Sequence, residues 1–224
     1  MVDVDKIKRD LYKNFEVDGS VKIDPSTGVV DVDGGVYLRG RTKKLPVTFG
    51  TVDGDFRCSD SVLVSLAGAP RNVNGGFFCS NNRLTQLYNA PESVTGSFYC
   101  DNNKLISLEG APHSVGGDFY CQSNMLTDLK GAPNSVGGGF YCHGNNLISL
   151  EGAPSHVEDY FYCKYSPQLP LLSLLNYKYV GVISARDTQD VNKIINQYAG
   201  QGKPGAIRAA VALIRAGYKD NARW

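Results

Sequence analysis

The side chains that could do chemistry in this 224-residue chain are six cysteines, three histidines and a scatter of carboxylates. The cysteines are Cys58, Cys79, Cys100, Cys121, Cys142 and Cys163, and every gap between them is 21 residues. Zinc binding or disulfide exchange brings paired thiolates together, commonly as Cys-x-x-Cys, and no such pair occurs. A gap of 21 instead gives each turn of a repeating chain one thiol at an equivalent place, where it acts as a small apolar side chain. Buried free thiols in turn predict a reducing, cytoplasmic setting. Of the histidines, His113 and His156 fall between repeats and His143 follows a cysteine, and none sits in a nucleophile or metal motif. The stretch Gly200-Gln-Gly-Lys-Pro-Gly205 lacks the Gly-x-x-x-x-Gly-Lys-Ser/Thr order of a phosphate loop and reads as a turn between helices. The expectation is no catalytic residue, no metal site and no cofactor.

What must position the cysteines is the repeat itself. Phe stands two before each Cys, at 56, 77, 98, 119, 140 and 161. In a strand, residues two apart share a face, so Phe and Cys both point inward. Asn follows three after the Cys (Asn82, Asn103, Asn124, Asn145), placed to bond backbone groups where the strand turns and to stack as a ladder. Leucines five and eight after the Cys (Leu105 and Leu108, for example) fill the core behind it. The Gly110-Ala-Pro112 step is too short and broken for a helix, so the return path should be extended or 3₁₀-like. One turn then contributes one short strand, and turns stack into a parallel sheet.

The phrase Phe-x-Cys-x-x-Asn-x-Leu resembles the Leu-x-Leu-x-x-Asn-x-Leu core of leucine-rich repeats. The whole unit, as in residues 105–121, is similar to short repeats in uncharacterised proteins of tailed phages. That resemblance implies a solenoid that binds other proteins through its sheet, and a phage accessory or anti-defence factor acting in the host cytoplasm.

The strand-entry phrase recurs at Val17-Asp-Gly-Ser-Val-Lys-Ile23 and Val32-Asp-Gly-Gly-Val-Tyr-Leu38, and Val182-Ile183-Ser184 falls one period beyond Phe161. About nine strands are expected, a sheet roughly 40 Å long. The ends need covers, because a bare terminal repeat exposes core and strand edge. Val4, Ile7, Leu11 and Phe15 lie at helical spacing behind Asp3, a cap helix within residues 1–16. After a solenoid over 17–184, residues 185–224 read as a helical pair. The first is N-capped by Asp187 and packs Val191, Ile194, Ile195 and Tyr198. The second starts at Pro204 and packs Ile207, Val211, Ile214 and Tyr218. The fold class is an α/β-type repeat solenoid of stacked parallel strands, with helical caps at both ends.

The residue before each Cys must face outward: Lys22, Tyr37, Arg57, Phe78, Tyr99, Tyr120, Tyr141 and Tyr162 along the stack. From Phe78 onward these form an aromatic stripe. Asp101, Gln122, His143 and Lys164 flank it on one side, and Asp55, Ser97, Asp118 and Tyr160 on the other. Cross-strand aromatic pairs can simply stabilise a sheet, but an outward aromatic row is a larger apolar exposure than a monomer usually carries. A protein partner on this face is expected. The other reading is a nucleic-acid binder, with bases on the aromatic row and phosphates on Lys203, Arg208, Arg215, Lys219 and Arg223. Charge divides the two readings. Residues 17–168 carry eleven basic and fifteen acidic side chains, which repels phosphate, whereas residues 169–224 carry eight and three. A virion component or adhesin fits the cysteine-lined interior poorly. A ubiquitin ligase of the kind attached to leucine-rich repeats in bacterial effectors needs a nucleophilic Cys in an added domain, and 164–224 contains none. No apolar run reaches the roughly 18 residues of a membrane span, and the charged N-terminus predicts no secretory signal.

Overall fold

The computed structural model describes residues 2–177, 179–183 and 189–223. The chain winds as a β-solenoid whose turns repeat every 21 residues. Two sheets run along it. The first orders the strands Phe15–Val17, Val36–Leu38, Phe56–Arg57, Phe77–Phe78, Phe98–Tyr99, Phe119–Tyr120, Phe140–Tyr141, Tyr160–Lys164 and Tyr179–Ile183. All neighbours are parallel except the first pair, where Phe15 faces Leu38 in an antiparallel ladder. Equivalent residues pair in register, Phe98 with Phe119 and Tyr99 with Tyr120.

The second sheet was not expected. The return path does not merely run extended: its Ser-Val steps (Ser93–Val94, Ser114–Val115, Ser135–Val136) pair with one another as two-residue parallel strands. Each full turn therefore gives two strands, and the valine of each second strand seals the core from the far side. Sequence reading also misplaced one strand. Val21-Lys22-Ile23 repeats the entry phrase, but it pairs antiparallel with Val30–Asp33 in the second sheet, so Lys22 is not on the aromatic face. Tyr37 is, opposite Arg57.

The core is a stack of like on like. Phe56, Phe77, Phe98, Phe119, Phe140 and Phe161 form a column with ring centroids 5.2–5.6 Å apart. The strand spacing of about 4.8 Å dictates this distance, and each buried ring contributes about 1.5–3 kcal/mol from burial. Phe49 and Phe15 close one end of the column edge-on. Tyr177 closes the other, stacked 4.3 Å from Phe161 with its hydroxyl donating to the Pro154 carbonyl. All six cysteines are free and fully buried. Their thiols have pKa values raised by burial, that of Cys163 to about 12. A left-handed backbone turn stands where the chain leaves the leucine-lined wall, filled by glycine in most turns and by Asn89 in one. Gly110, Gly131 and Gly152 have φ of +90°, +83° and +80°, and a Cβ there would strike the backbone of the preceding turn.

The ends are covered by helices. Helix α1 (Val4–Asn14) is N-capped by the Asp3 side chain, which accepts from the Lys6 N–H, and it buries Leu11. At the other end a 3₁₀ segment, Leu171–Asn176, buries four leucines. Helices α2 (Gln189–Tyr198) and α3 (Gly202–Arg215) pack on it. Two expectations need correction here. The last strand pairs Phe161 with Val180 rather than Val182, two residues ahead of the period. Helix α3 starts at Gly202, two before Pro204, and its buried residues are Gly205, Ala206, Ala209 and Leu213, not Ile207, Val211 and Ile214. Asp187 and Ser184 lie outside the described residues.

Asn221 ties the C-terminus back to the body. Its side chain is buried, accepts from the Tyr165 hydroxyl, and donates toward the carbonyls of Ser166, Pro167 and Leu169. Asn221→Ala leaves these buried groups short of partners and should destabilise the protein by about 2–3 kcal/mol in urea unfolding. An effect below about 0.5 kcal/mol would show that the C-terminal helices add little to the fold.

Candidate functional site

Each turn is fastened to the next by asparagine. Asn124, for instance, donates to the carbonyls of Cys100, Cys121 and Gln122, while its Oδ1 accepts from the Leu105 N–H one turn back. This fixes where the first sheet ends and hence which side chains the outward position carries.

The outward aromatic row is a continuous ladder. Phe78, Tyr99, Tyr120 and Tyr141 stack face to face with centroids 4.8, 4.4 and 4.5 Å apart and planes within 14°. Both ends are closed. The Arg57 guanidinium lies 4.2 Å over the Phe78 ring and pairs with Asp55 at 2.8 Å. At the other end Tyr162 leaves the stack and meets Tyr141 edge-on at 60°. Gly181, its partner in the next strand, permits this, because a Cβ there would strike the Tyr162 ring. The five aromatic residues are consequently half-buried rather than exposed. They present ring edges and, in the four tyrosines, hydroxyls, while the ring faces of the stack are occupied by one another and by Arg57.

The flanks are less open than their outward phase suggests. Asp101 is buried: its carboxylate accepts from the Ser80 hydroxyl and the Asn102 amide. Asp118 accepts from the Gly139 N–H and from the Tyr120 hydroxyl. Among the described residues Gln122 Oε1 and His143 Nδ1 are buried and find no hydrogen-bond partner, and the His143 ring packs edge-on against Tyr162. Burial lowers the His143 pKa and so favours its neutral form. Burial, then Asp118, then the neighbouring tyrosines raise the Tyr120 pKa; burial and Asp118 do the same for Tyr141. For Asp55, burial pulls the pKa upward, but the Gly76 N–H and Arg57 outweigh it and hold the carboxyl below its ordinary range. Tyr120 and Tyr141 thus hold their hydroxyl protons more tightly than free tyrosine, and the flanking carboxylates are already hydrogen-bonded.

Sequence reading missed the more exposed apolar positions. Val64, Ile106 and Ile148 stand six after a Cys, between the two core leucines, and are 55%, 59% and 53% exposed. With Thr85 and Thr127 they form a second outward row on the same 21-residue beat, so the period that disclosed the tyrosines could have disclosed them. Tyr160 is also exposed, at the edge of the ladder. Among the described residues no three His, Cys, Asp or Glu side chains converge on a common point, and no helix is long and apolar enough to cross a membrane.

Comparison with protein-family models, with curated proteins and with solved structures finds no match to the chain.

Proposed function

We propose that the protein is a non-catalytic binding module that holds a protein partner on the ladder from Phe78 to Tyr162. The observation that carries this reading is the ladder's self-stacking. A row of rigid rings locked at 4.4–4.8 Å offers a preformed strip of edges and hydroxyls. Rigid aromatic surface of this kind buries area at low entropic expense and is enriched in the energetic centres of protein interfaces. The same spacing speaks against nucleic acid. A base stacked between two rings needs about 7 Å, twice the stacking distance of about 3.4 Å, and the strand ladder holds the rings too close together. The end faces, where a single base could stack, are taken by Arg57 and Tyr162.

In the finer reading, the protein is an accessory or anti-defence factor of a tailed phage that sequesters a host or defence protein in the host cytoplasm. It starts from the resemblance read in the sequence of the 21-residue unit, and an interior lined by six free thiols suits the reducing compartment it requires.

The test is Tyr120→Ala beside Tyr120→Phe, each assayed against a partner captured by the wild-type protein from host lysate. Tyr120 sits at the middle of the row, stacked on both sides. Its truncation should weaken binding at least tenfold, about 1.4 kcal/mol or more. It should also lower stability by about 1 kcal/mol through lost stacking. Tyr120→Phe keeps the stack and separates the two effects. Unchanged affinity of the folded fraction of Tyr120→Ala would make the ladder purely structural. Retention on single-stranded DNA that falls steeply with salt, and is lost in Tyr120→Ala, would favour the nucleic-acid reading.

A further inference from the structure

Helix α3 turns three of its four large aliphatic side chains to solvent and buries the fourth, Leu213. Ile207 is 67% exposed, Ile214 50% and Val211 42%, while Gly205, Ala206, Ala209 and Leu213 on the opposite face do the packing. At i, i+4 and i+7 these three form one ridge about 10 Å long. Ile207 and Val211 line one side of a groove of about 610 Å³, and α2 lines the other through Ile194 and Tyr198. Ala212 and Ala216 also line it, and their short side chains leave the space unfilled. Such a groove accepts apolar side chains from something rod-shaped.

Its rim is basic. Among the described residues Lys193, Arg208 and Arg215 border the groove against one carboxylate, Asp190, and residues 189–223 hold six basic and two acidic side chains. Among the described residues none of these three cations has a salt-bridge partner. Arg208 reaches only the neutral oxygens of Pro204 and Gln201. Arg208 and Arg215 are seven residues apart, about 10.5 Å along the axis. That is the distance spanned by two carboxylates on one stripe of a facing helix.

We propose that the α2–α3 groove docks an acidic amphipathic helix of a partner protein. Its apolar anchors lie between Ile194, Ile207 and Val211, and its carboxylates meet Arg208, Arg215 and Lys193. The apolar walls serve no purpose against a phosphate backbone, and a walled groove suits a rod better than the plane of a lipid surface. A second copy is disfavoured, since antiparallel pairing of two α3 ridges sets Arg208 and Arg215 of the copies against each other. The site is separate from the tyrosine ladder and does not depend on it.

The probe is a labelled 18-residue helical peptide with leucines at i, i+3 and i+7 flanked by glutamates, and its twin with lysine at every glutamate. Titrated into the full chain at low salt, the glutamate peptide should bind at least tenfold more tightly than the twin. Ile207→Asp should lose that binding, and Arg208→Glu with Arg215→Glu should invert the preference. All three side chains are exposed, so thermal melting by circular dichroism should stay unchanged; Tyr120→Ala should leave peptide binding intact. Equal binding of the two peptides would overturn the proposal. So would retention of the glutamate peptide by the charge-reversed chain. Tighter binding to phosphatidylglycerol vesicles or single-stranded DNA than to the peptide, abolished by Ile207→Asp, would reassign the surface and overturn it as well. A wild-type dimer that Ile207→Asp converts to monomer would do the same in favour of a second copy.

Discussion

Raised from pH 8 to pH 10, the protein should unfold in a steep transition driven by its interior thiols. All six are fully buried, and burial raises each pKa above the ordinary 9.0, that of Cys163 to about 12. The folded state therefore keeps its thiol protons in a range where the unfolded chain releases them. Stability is intact below about pH 8, where both states are protonated, and falls as pH rises through the ordinary thiol range toward the folded values. Each thiol contributes a slope of about 1.4 kcal/mol per pH unit, so six together approach about 8 kcal/mol per unit. Domains of this kind hold about 5–15 kcal/mol in total, and one to two pH units should exhaust it. Urea midpoints at half-unit steps from pH 7 to 10.5 measure the slope. Cys121→Ala should lower stability at pH 7 through the cavity it leaves, yet flatten the alkaline slope by about one sixth. Below pH 8 the thiols should resist an aromatic disulfide reagent until denaturant is added. An alkaline slope of one proton or less would mean that the cysteines are not held as the structure has them.

Those thiols were legible in the sequence because a strict period samples one environment repeatedly. Phe, Cys, Asn, Leu and Val each recur at a fixed phase, and the structure places each where that phase implies, inward or at the turn. Legibility ended where repetition ended. The entry phrase at Val17–Ile23 has the right residues, yet the antiparallel hairpin to Val30–Asp33 draws it into the other sheet. The two-residue Ser-Val strands are too short for any propensity signal, and only pairing across turns makes them strands. Helix α3 carries two stripes, an aliphatic one at 207, 211 and 214 and a mostly small one at 206 and 209 that ends on Leu213. Hydrophobicity alone selects the first, but close approach to the 3₁₀ segment selects the second. The outward phase of Tyr99, Tyr120 and Tyr141 was likewise readable. Their half-burial was not, since it comes from neighbours stacking at the strand spacing. Nor could phase reveal that Asp101 bends back to the Ser80 hydroxyl.

Replacing two adjacent ladder asparagines should cost more than the sum of the single replacements, whereas two separated ones should add. The reason lies in how the cysteine carbonyls are shared. The Cys100 carbonyl accepts from Asn103 in its own turn and from Asn124 in the next. The Cys121 carbonyl is shared between Asn124 and Asn145 in the same way. Asn124→Ala alone leaves both carbonyls one donor and orphans only the Leu105 N–H, a loss of about 2–4 kcal/mol. With Asn103→Ala added, the Cys100 carbonyl loses both amide donors within a buried wall. That adds about 1–3 kcal/mol beyond the sum of the two single losses. Asn103 and Asn145 share no carbonyl: the first serves Cys79 and Cys100, the second Cys121 and Cys142. Their double variant should therefore be additive within about 0.5 kcal/mol. The measurement is a pair of double-mutant cycles in urea at pH 7, run in parallel so that any general loss of solenoid cooperativity appears in both. Equal coupling in the adjacent and separated cycles would show that the ladder acts through bulk packing. Coupling confined to the adjacent pair would show that the turns are held by carbonyls bonded twice, once from within the turn and once from the next.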